Sequence, residues 1–269
     1  MSGFRMPAPF VLLTGGKGGV GKTACAANLG VHMAREGKRV LLVDLDLGLA
    51  NLNVLLRLTP EHTLEDALAG EVSLAECVVT GPEGVHVLPA GSGTAEMARD
   101  DDARRERLLE GIAELAEDYD YVITDSAAGI GPDVLGFAAC ADLVLIVTTP
   151  DPTALTDAYG LVKALDAHAL EGDLEVPTPE VFVNLVDSVD EARDTARKLR
   201  LVCERFLARS PRMAGWLPRS PVIRSACGRQ RSFANGDHKS LEYNCLRRLF
   251  ERVSRQFPGV QPALSGLKA

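Results

Sequence analysis

The chain has 269 residues, 46% hydrophobic and 25% charged, with a formal net charge of −8. This is ordinary soluble globular composition, and the length is ample for a sizeable core. No apolar run approaches the roughly 18 residues needed to span a bilayer, and the N-terminal MSGFRMPAPF has no apolar leader core.

In chain order, the apolar run Phe10–Leu13 predicts a first strand. A glycine loop over residues 15–23 follows it, and then a helix to about Arg35 that stops at Glu36-Gly37. Val40–Val43 reads as a strand buried on both faces, closed by Asp44-Leu45-Asp46. Short helical pieces are expected at 51–56, 63–69 and 73–77, then a turn at Gly81–Gly84 and a strand over 85–89. Residues 91–102 read as a loop that is acidic at its end, followed by a helix at 103–117. The strand Tyr121–Asp125 again ends in a carboxylate. A helix at 131–139, a strand at 143–148 and a helix from Asp151-Pro152-Thr153 to about 168 come next. A strand at 180–185, a helix at 188–208, a strand at 213–217 and helices near 220–227 and 239–257 complete the chain. Strands alternate with helices throughout, which predicts an α/β fold: one doubly wound, mostly parallel sheet with helices on both faces. A single domain over 1–269 is expected, with tails at 1–9 and 258–269.

The six cysteines (Cys25, Cys77, Cys140, Cys203, Cys227 and Cys245) form no C-x-x-C pair. Reduced core thiols in a cytosolic setting are therefore expected. The five histidines are scattered and take no role. Residues 191–257 carry 16 Lys and Arg against 6 Asp and Glu. That bias fits solvated faces of amphipathic helices, or a docking surface for an acidic partner, DNA or anionic lipid. In the last helix, Leu241, Cys245, Leu249 and Val253 share a face, away from Arg247, Arg248, Arg252 and Arg255. The pattern suits a core helix covering the sheet, or one lying on anionic lipid.

The chemistry centres on Gly15-Gly16-Lys17-Gly18-Gly19-Val20-Gly21-Lys22-Thr23. Residues 16–23 match the G-x-x-x-x-G-K-[ST] phosphate loop, between the strand and the helix that such a motif requires. Its backbone N–H groups and the helix N-terminus are suited to phosphate oxygens. Lys22 would face the β- and γ-phosphates, and Thr23 would offer its hydroxyl to Mg²⁺. Asp44, Asp46 and Asp125 fall at strand carboxyl ends, where open α/β sheets bind ligands. Asp125 is a candidate support for the metal, and of Asp44 and Asp46 one would support the metal while the other orients the attacking water. Lys17 is a second cation that ground-state phosphate binding does not need, which suits it to charge developing in phosphoryl transfer.

KGGVGKT at 17–23 resembles the deviant Walker A motif of the MinD/ParA ATPases, P-loop NTPases in which the early lysine is the signature. The resemblance implies a Mg²⁺-dependent ATPase that binds ATP and ADP and forms an ATP-dependent homodimer. Lys17 would then reach the partner's nucleotide, while Gly16, Gly18, Gly19, Val20, Gly21, Lys22, Thr23 and Ala24 hold the chain's own. DLDLGLANLN at 44–53 resembles the first switch, with Asp46 positioning water, and DSAAGIG at 125–131 the second. Asp151 would hold Lys17 in the resting state. Asn184, Pro218, Arg219 and Ser220 resemble the adenine contacts.

Further stretches, PTALTDAYGLVKAL at 152–165 and PVIRSACGRQRSF at 221–233, resemble the FlhG branch of that family, regulators of flagellar number and placement. That branch implies a protein partner: a flagellar switch component, an FlhF-like GTPase or a transcription regulator. It also implies a cytoplasmic protein that visits the membrane or the cell pole. A ParA-type ATPase on nonspecific DNA and a MinD-type division-site regulator are the alternatives. Three departures stand out. The roughly ten residues before the first strand leave no room for the N-terminal helix that many FlhG proteins use on FlhF. Arg219-Ser220 replaces the usual Pro-x-acidic pattern. The tail from Pro258 lacks the basic amphipathic helix that MinD proteins use on membranes.

Overall fold

The computed structural model describes residues 4–48, 51–91, 102–172, 175–207 and 209–260. Among them, eight strands make one sheet: β1 (Phe10–Gly15), β2 (Val40–Leu45), β3 (Val79–Thr80), β4 (His86–Leu88), β5 (Tyr121–Ala128), β6 (Leu143–Thr148), β7 (Glu180–Val186) and β8 (Met213–Pro218). Their order across the sheet is β3-β4-β2-β5-β1-β6-β7-β8. Every pairing is parallel except β3 with β4. The helices are α1 (Lys22–Arg35), α2 (Leu52–Leu56), α3 (Leu64–Leu68), α4 (Asp102–Ala116), α5 (Pro132–Cys140), α6 (Pro152–Gly172), α7 (Val189–Leu207), α8 (Pro221–Gly228) and α9 (Leu241–Gln256). The expected doubly wound sheet is what forms.

Alternation along the central strand explains why it reads as unbroken apolar sequence. Phe10 and Leu12 face one core, packed with Leu109 and Ile112 of α4, Phe137 of α5, Leu161 of α6 and Leu199 of α7. Val11 and Leu13 face the other, packed with Leu29 and Met33 of α1 and Leu249 and Val253 of α9. A strand covered on both faces needs apolar side chains at every position.

β1 lies between β5 and β6, and the connections leaving β1 and β6 run in opposite directions across the sheet. α1 carries the chain from β1 toward β2, whereas α6 carries it from β6 toward β7. The crevice where such connections diverge is the ligand position of open α/β sheets. It sets the loop after β1 beside the start of α6.

Several expectations change. Residues 4–9 are not a loose tail, because Met6 and Ala8 are buried against the core. β3 was not anticipated; two residues of antiparallel edge carry no periodicity. In α9, Leu241 is exposed, and Tyr243 and Leu246 join Cys245, Leu249 and Val253 in burial. The helix nevertheless covers the sheet as a core helix. The expected loop at 91–102 falls outside the described residues from 92 to 101, as do 49–50 of the first switch and the tail from 261.

Candidate functional site

The loop between β1 and α1 is shaped by contacts that admit no side chain. A Cβ on Gly16 would stand 2.2 Å from the backbone oxygen of Asp157 in α6. Gly21 has φ +92°, and a Cβ there would meet Asn184 Nδ2 at 2.3 Å. Gly21 occupies the N-cap of α1 without a side-chain cap, and the first turn carries no acidic residue. The first N–H groups of α1 are thus aimed at the loop interior, the arrangement that favours an anion. Lys22 is buried in the same loop. Asn184 braces it from behind, its Nδ2 donating to Val20 O at 2.8 Å while its Oδ1 accepts from Leu185 N at 2.9 Å.

Behind the loop, Asp44 and Asp125 are register partners on β2 and β5, both buried. Burial, with Asp44 as a neighbour, pushes the Asp125 carboxyl up to about 7 against the hydrogen bond from Thr23 and the charge of Lys22. Asp125 Oδ1 is buried with no hydrogen-bond partner. A hydroxyl and a carboxylate with an unspent buried oxygen, next to a phosphate loop, fit Mg²⁺, which takes one or two protein oxygens and the rest from phosphates and water. No cluster of three acidic, His or Cys side chains that could hold a metal by itself occurs among the described residues.

Asp44, expected at the metal, instead spends its oxygens on backbone. Oδ1 accepts from Asp46 N at 3.1 Å, and Oδ2 accepts from Asn51 N at 2.9 Å and Leu52 N at 3.1 Å. Burial pushes its carboxyl up to about 6 despite these bonds. Asp44 therefore holds both ends of the segment that carries Asp46.

Lys17 turns outward. Its Nζ donates to Thr153 Oγ1 and lies 3.8 Å from Asp151 Oδ1, with both charged side chains about half exposed. Asp151 caps α6, accepting from Thr153 N at 2.8 Å, Thr153 Oγ1 at 2.6 Å and Ala154 N at 3.2 Å. The Thr153 hydroxyl and these amides, followed by Lys17, hold its carboxyl below the usual range. The two residues meet because β1 and β6 are neighbours in the sheet.

A cavity of about 760 Å³ opens over the loop, within the size range of small-molecule sites. Of the residues expected at the nucleotide, Gly18, Gly19, Gly21, Lys22, Thr23, Ala24 and Asp46 line it, whereas Gly16, Lys17 and Val20 are not among its lining residues. Neither are Asn184, Pro218, Arg219 and Ser220. Arg219 N–H donates to Val186 O at 2.8 Å and its guanidinium to Leu185 O at 3.2 Å, so this group forms the adjoining ends of β7 and β8. Ser220 caps α8 and bonds Glu242. Sequence reasoning missed Cys227 and Gln230 of the α8 end, together with Val54 and Leu55 of α2, on the cavity wall. The stretch 221–233 stood out only as a whole, and nothing in it marked those two positions.

The model of the AAA domain family matches residues 10–172. The antiactivator FleN of Pseudomonas aeruginosa is 38% identical over 230 residues, which cover 86% of this chain and 80% of FleN. The flagellum site-determining protein YlxH of Helicobacter pylori is 34% identical over 208 residues, or 74% of this chain and 65% of YlxH. The septum site-determining protein MinD of Pyrococcus horikoshii, solved in complex with Mg-ADP, has the same fold. It matches with a TM-score of 0.74 at 23% identity, over 94% of this chain and 99% of that one.

Proposed function

The chain belongs to the MinD/ParA family of P-loop ATPases, and from that premise we propose that it is an ATP-hydrolysing switch that dimerises on ATP. In this reading the switch regulates flagellar number or placement. FleN and YlxH motivate the flagellar assignment, since both are more than 30% identical to this chain over most of its length.

The loop N–H groups and the α1 N-terminus bind the phosphates, with Lys22 offsetting their charge. Thr23 and Asp125 are the residues that would hold Mg²⁺, which when bound neutralises charge on the β- and γ-phosphates. Asp44 keeps Asp46 at the cavity wall, where its carboxylate orients water for attack. The observation that carries the dimer reading is Lys17. It is the second lysine of a phosphate loop, yet it rests on α6 rather than in the cavity. An exposed ion pair contributes little, so Lys17 exchanges Asp151 for a partner's nucleotide at small cost.

Size-exclusion chromatography with ATP and with ADP tests this. The ATP form should elute as a dimer and the ADP form as a monomer. Lys17→Ala should bind nucleotide but lose dimerisation or hydrolysis; undiminished hydrolysis would refute the role of Lys17. Asp46→Ala should accumulate as an ATP-bound dimer, and a variant that stays monomeric with ATP would refute the water-positioning role. EDTA should abolish hydrolysis in the native protein.

A second reading, an ATPase on nonspecific DNA, has one observation in its favour. Arg212 and Arg248 make no ion pair among the described residues and line one hollow with Arg252 and Arg255, which pair there with Glu180 and Glu251. DNA retention by the ATP form that falls steeply with salt would support it, and no retention at low salt would remove it.

A further inference from the structure

α8 ends in a backbone turn that is unusual for its residue. The N–H of Gln230 donates to Cys227 O at 3.0 Å and that of Arg231 to Ala226 O at 3.0 Å. These paired bonds close a helix through a residue in the left-handed region, a place normally taken by glycine. Here Gln230 occupies it, with φ +53°. Gly228 stands two residues earlier, inside the helix, where its freedom is not needed. A side chain held in this region costs backbone energy and points to a use for that side chain.

The turn sorts side chains by chemistry. Gln230 and Cys227 line the cavity over the phosphate loop, whereas Arg229 and Arg231 line a separate groove beside α8. Two guanidiniums are thereby kept off the cavity wall and a neutral carboxamide is placed on it. The carboxamide makes no hydrogen bond among the described residues. The following segment is tied to the phosphate-loop helix, because Asn28 Oδ1 accepts from Ser232 Oγ, Phe233 N and Ala234 N. Gln230 is thus held in a set position relative to the loop.

We propose that Gln230 is a nucleotide-recognition residue, hydrogen-bonding the sugar or base of the nucleotide whose phosphates the loop holds; this rests on the nucleotide-binding reading above. A carboxamide offers one acceptor and two donors, which match a sugar hydroxyl or a base edge. Phosphates are already served by the loop N–H groups and Lys22. Val54 and Leu55, which line the same cavity, are apolar and suit the flat part of a nucleoside.

The test measures binding of ADP, 2′-deoxy-ADP, GDP and inorganic tripolyphosphate to the full chain and to Gln230→Gly and Gln230→Met. Glycine relieves the backbone, and methionine keeps its bulk without the hydrogen bonds. Both variants should bind ADP about tenfold more weakly, while tripolyphosphate affinity stays unchanged. The ligand-free Gln230→Gly variant should melt at or above the wild-type temperature. If the sugar is the contact, wild type discriminates against 2′-deoxy-ADP and the variants do not; if the base is, the same holds for GDP. Unchanged ADP affinity in both variants, or an equal loss for tripolyphosphate, overturns the assignment to Gln230 alone. Wild-type protein that binds no ADP overturns the nucleotide reading beneath it.

Discussion

Asn28, buried in the middle of α1, joins two segments that the chain separates by more than 200 residues. Its Nδ2 donates to Ala24 O at 2.7 Å, while its Oδ1 accepts from Ser232 Oγ at 2.8 Å, Phe233 N at 2.8 Å and Ala234 N at 3.3 Å. Asn28→Ala removes all four bonds without equal consequence. Ala234 N–H keeps Ser232 Oγ at 3.1 Å, so the orphaned backbone donor is that of Phe233. An unsatisfied buried donor costs about 1–3 kcal/mol, and the lost bonds to Ala24 O and Ser232 Oγ about 0.5–1.5 kcal/mol each, so a loss of roughly 2–6 kcal/mol is expected. For a chain of this size each kcal/mol lowers the melting temperature by about 2–4 °C. Urea unfolding followed by circular dichroism, repeated as a thermal melt, measures it. Adding Ser232→Ala to that variant should cost about 1–3 kcal/mol more, because it removes the acceptor left to Ala234 N–H. A loss below about 1 kcal/mol for Asn28→Ala, or a double variant as stable as Asn28→Ala alone, would refute the claim that Asn28 ties the α8 turn to α1.

Three other outcomes are expected. Gly16→Ala places a methyl against the backbone of Asp157 and Ala158 and should cost about 1–3 kcal/mol or more, together with ADP binding. Gly18→Ala, with nothing within 4 Å, should leave stability within about 0.5 kcal/mol; equal losses in unfolding experiments would refute the close-approach argument. His32 is buried with neither ring nitrogen bonded, edge-on to Tyr243 at 4.9 Å, and burial holds it below the usual 6.5. The unfolded chain takes up that proton near 6.5 and the folded one only lower, so stability is full above pH 6.5 and falls as the pH drops through that window. Unfolding at pH 7.5 and 5.5 should show a shallower decline for His32→Phe than for wild type, and parallel declines would count against it. Cys227 is only partly buried and lines the cavity, whereas Cys25 is fully enclosed. Mass-spectrometric mapping of alkylation should find Cys227 modified before Cys25 and protected by ADP; indifference to ADP would place the nucleotide elsewhere.

What the residues determine by themselves is local. Residues 40–43 of β2 and 143–147 of β6 are apolar at every position because both sheet faces are covered, and that condition is legible as an unbroken run. The phosphate loop is legible too, since glycines at fixed spacing between a strand and a helix have few other uses. Asp151 was placed opposite Lys17 only by family resemblance, and the two do meet at 3.8 Å. The Asp44 role was not legible. Its place at a strand end suits a metal contact and a loop anchor equally, and only the return of Asn51 and Leu52 onto its oxygens decided between them.

Asn28 and Gln230 were silent for a related reason. A polar residue inside a helical pattern reads as an ordinary surface position until a partner 204 residues away is folded onto it. A glutamine after a helix gives no sign of positive φ, because that conformation is imposed by the bonds that close the turn. The sheet order is likewise tertiary: β5 enters between β2 and β1 through pairings more than 80 residues apart, which no local period encodes. Periodicity and spacing report what a segment does to its own backbone. Contacts between distant segments depend on which faces the whole sheet leaves to be covered, and only the assembled fold specifies them.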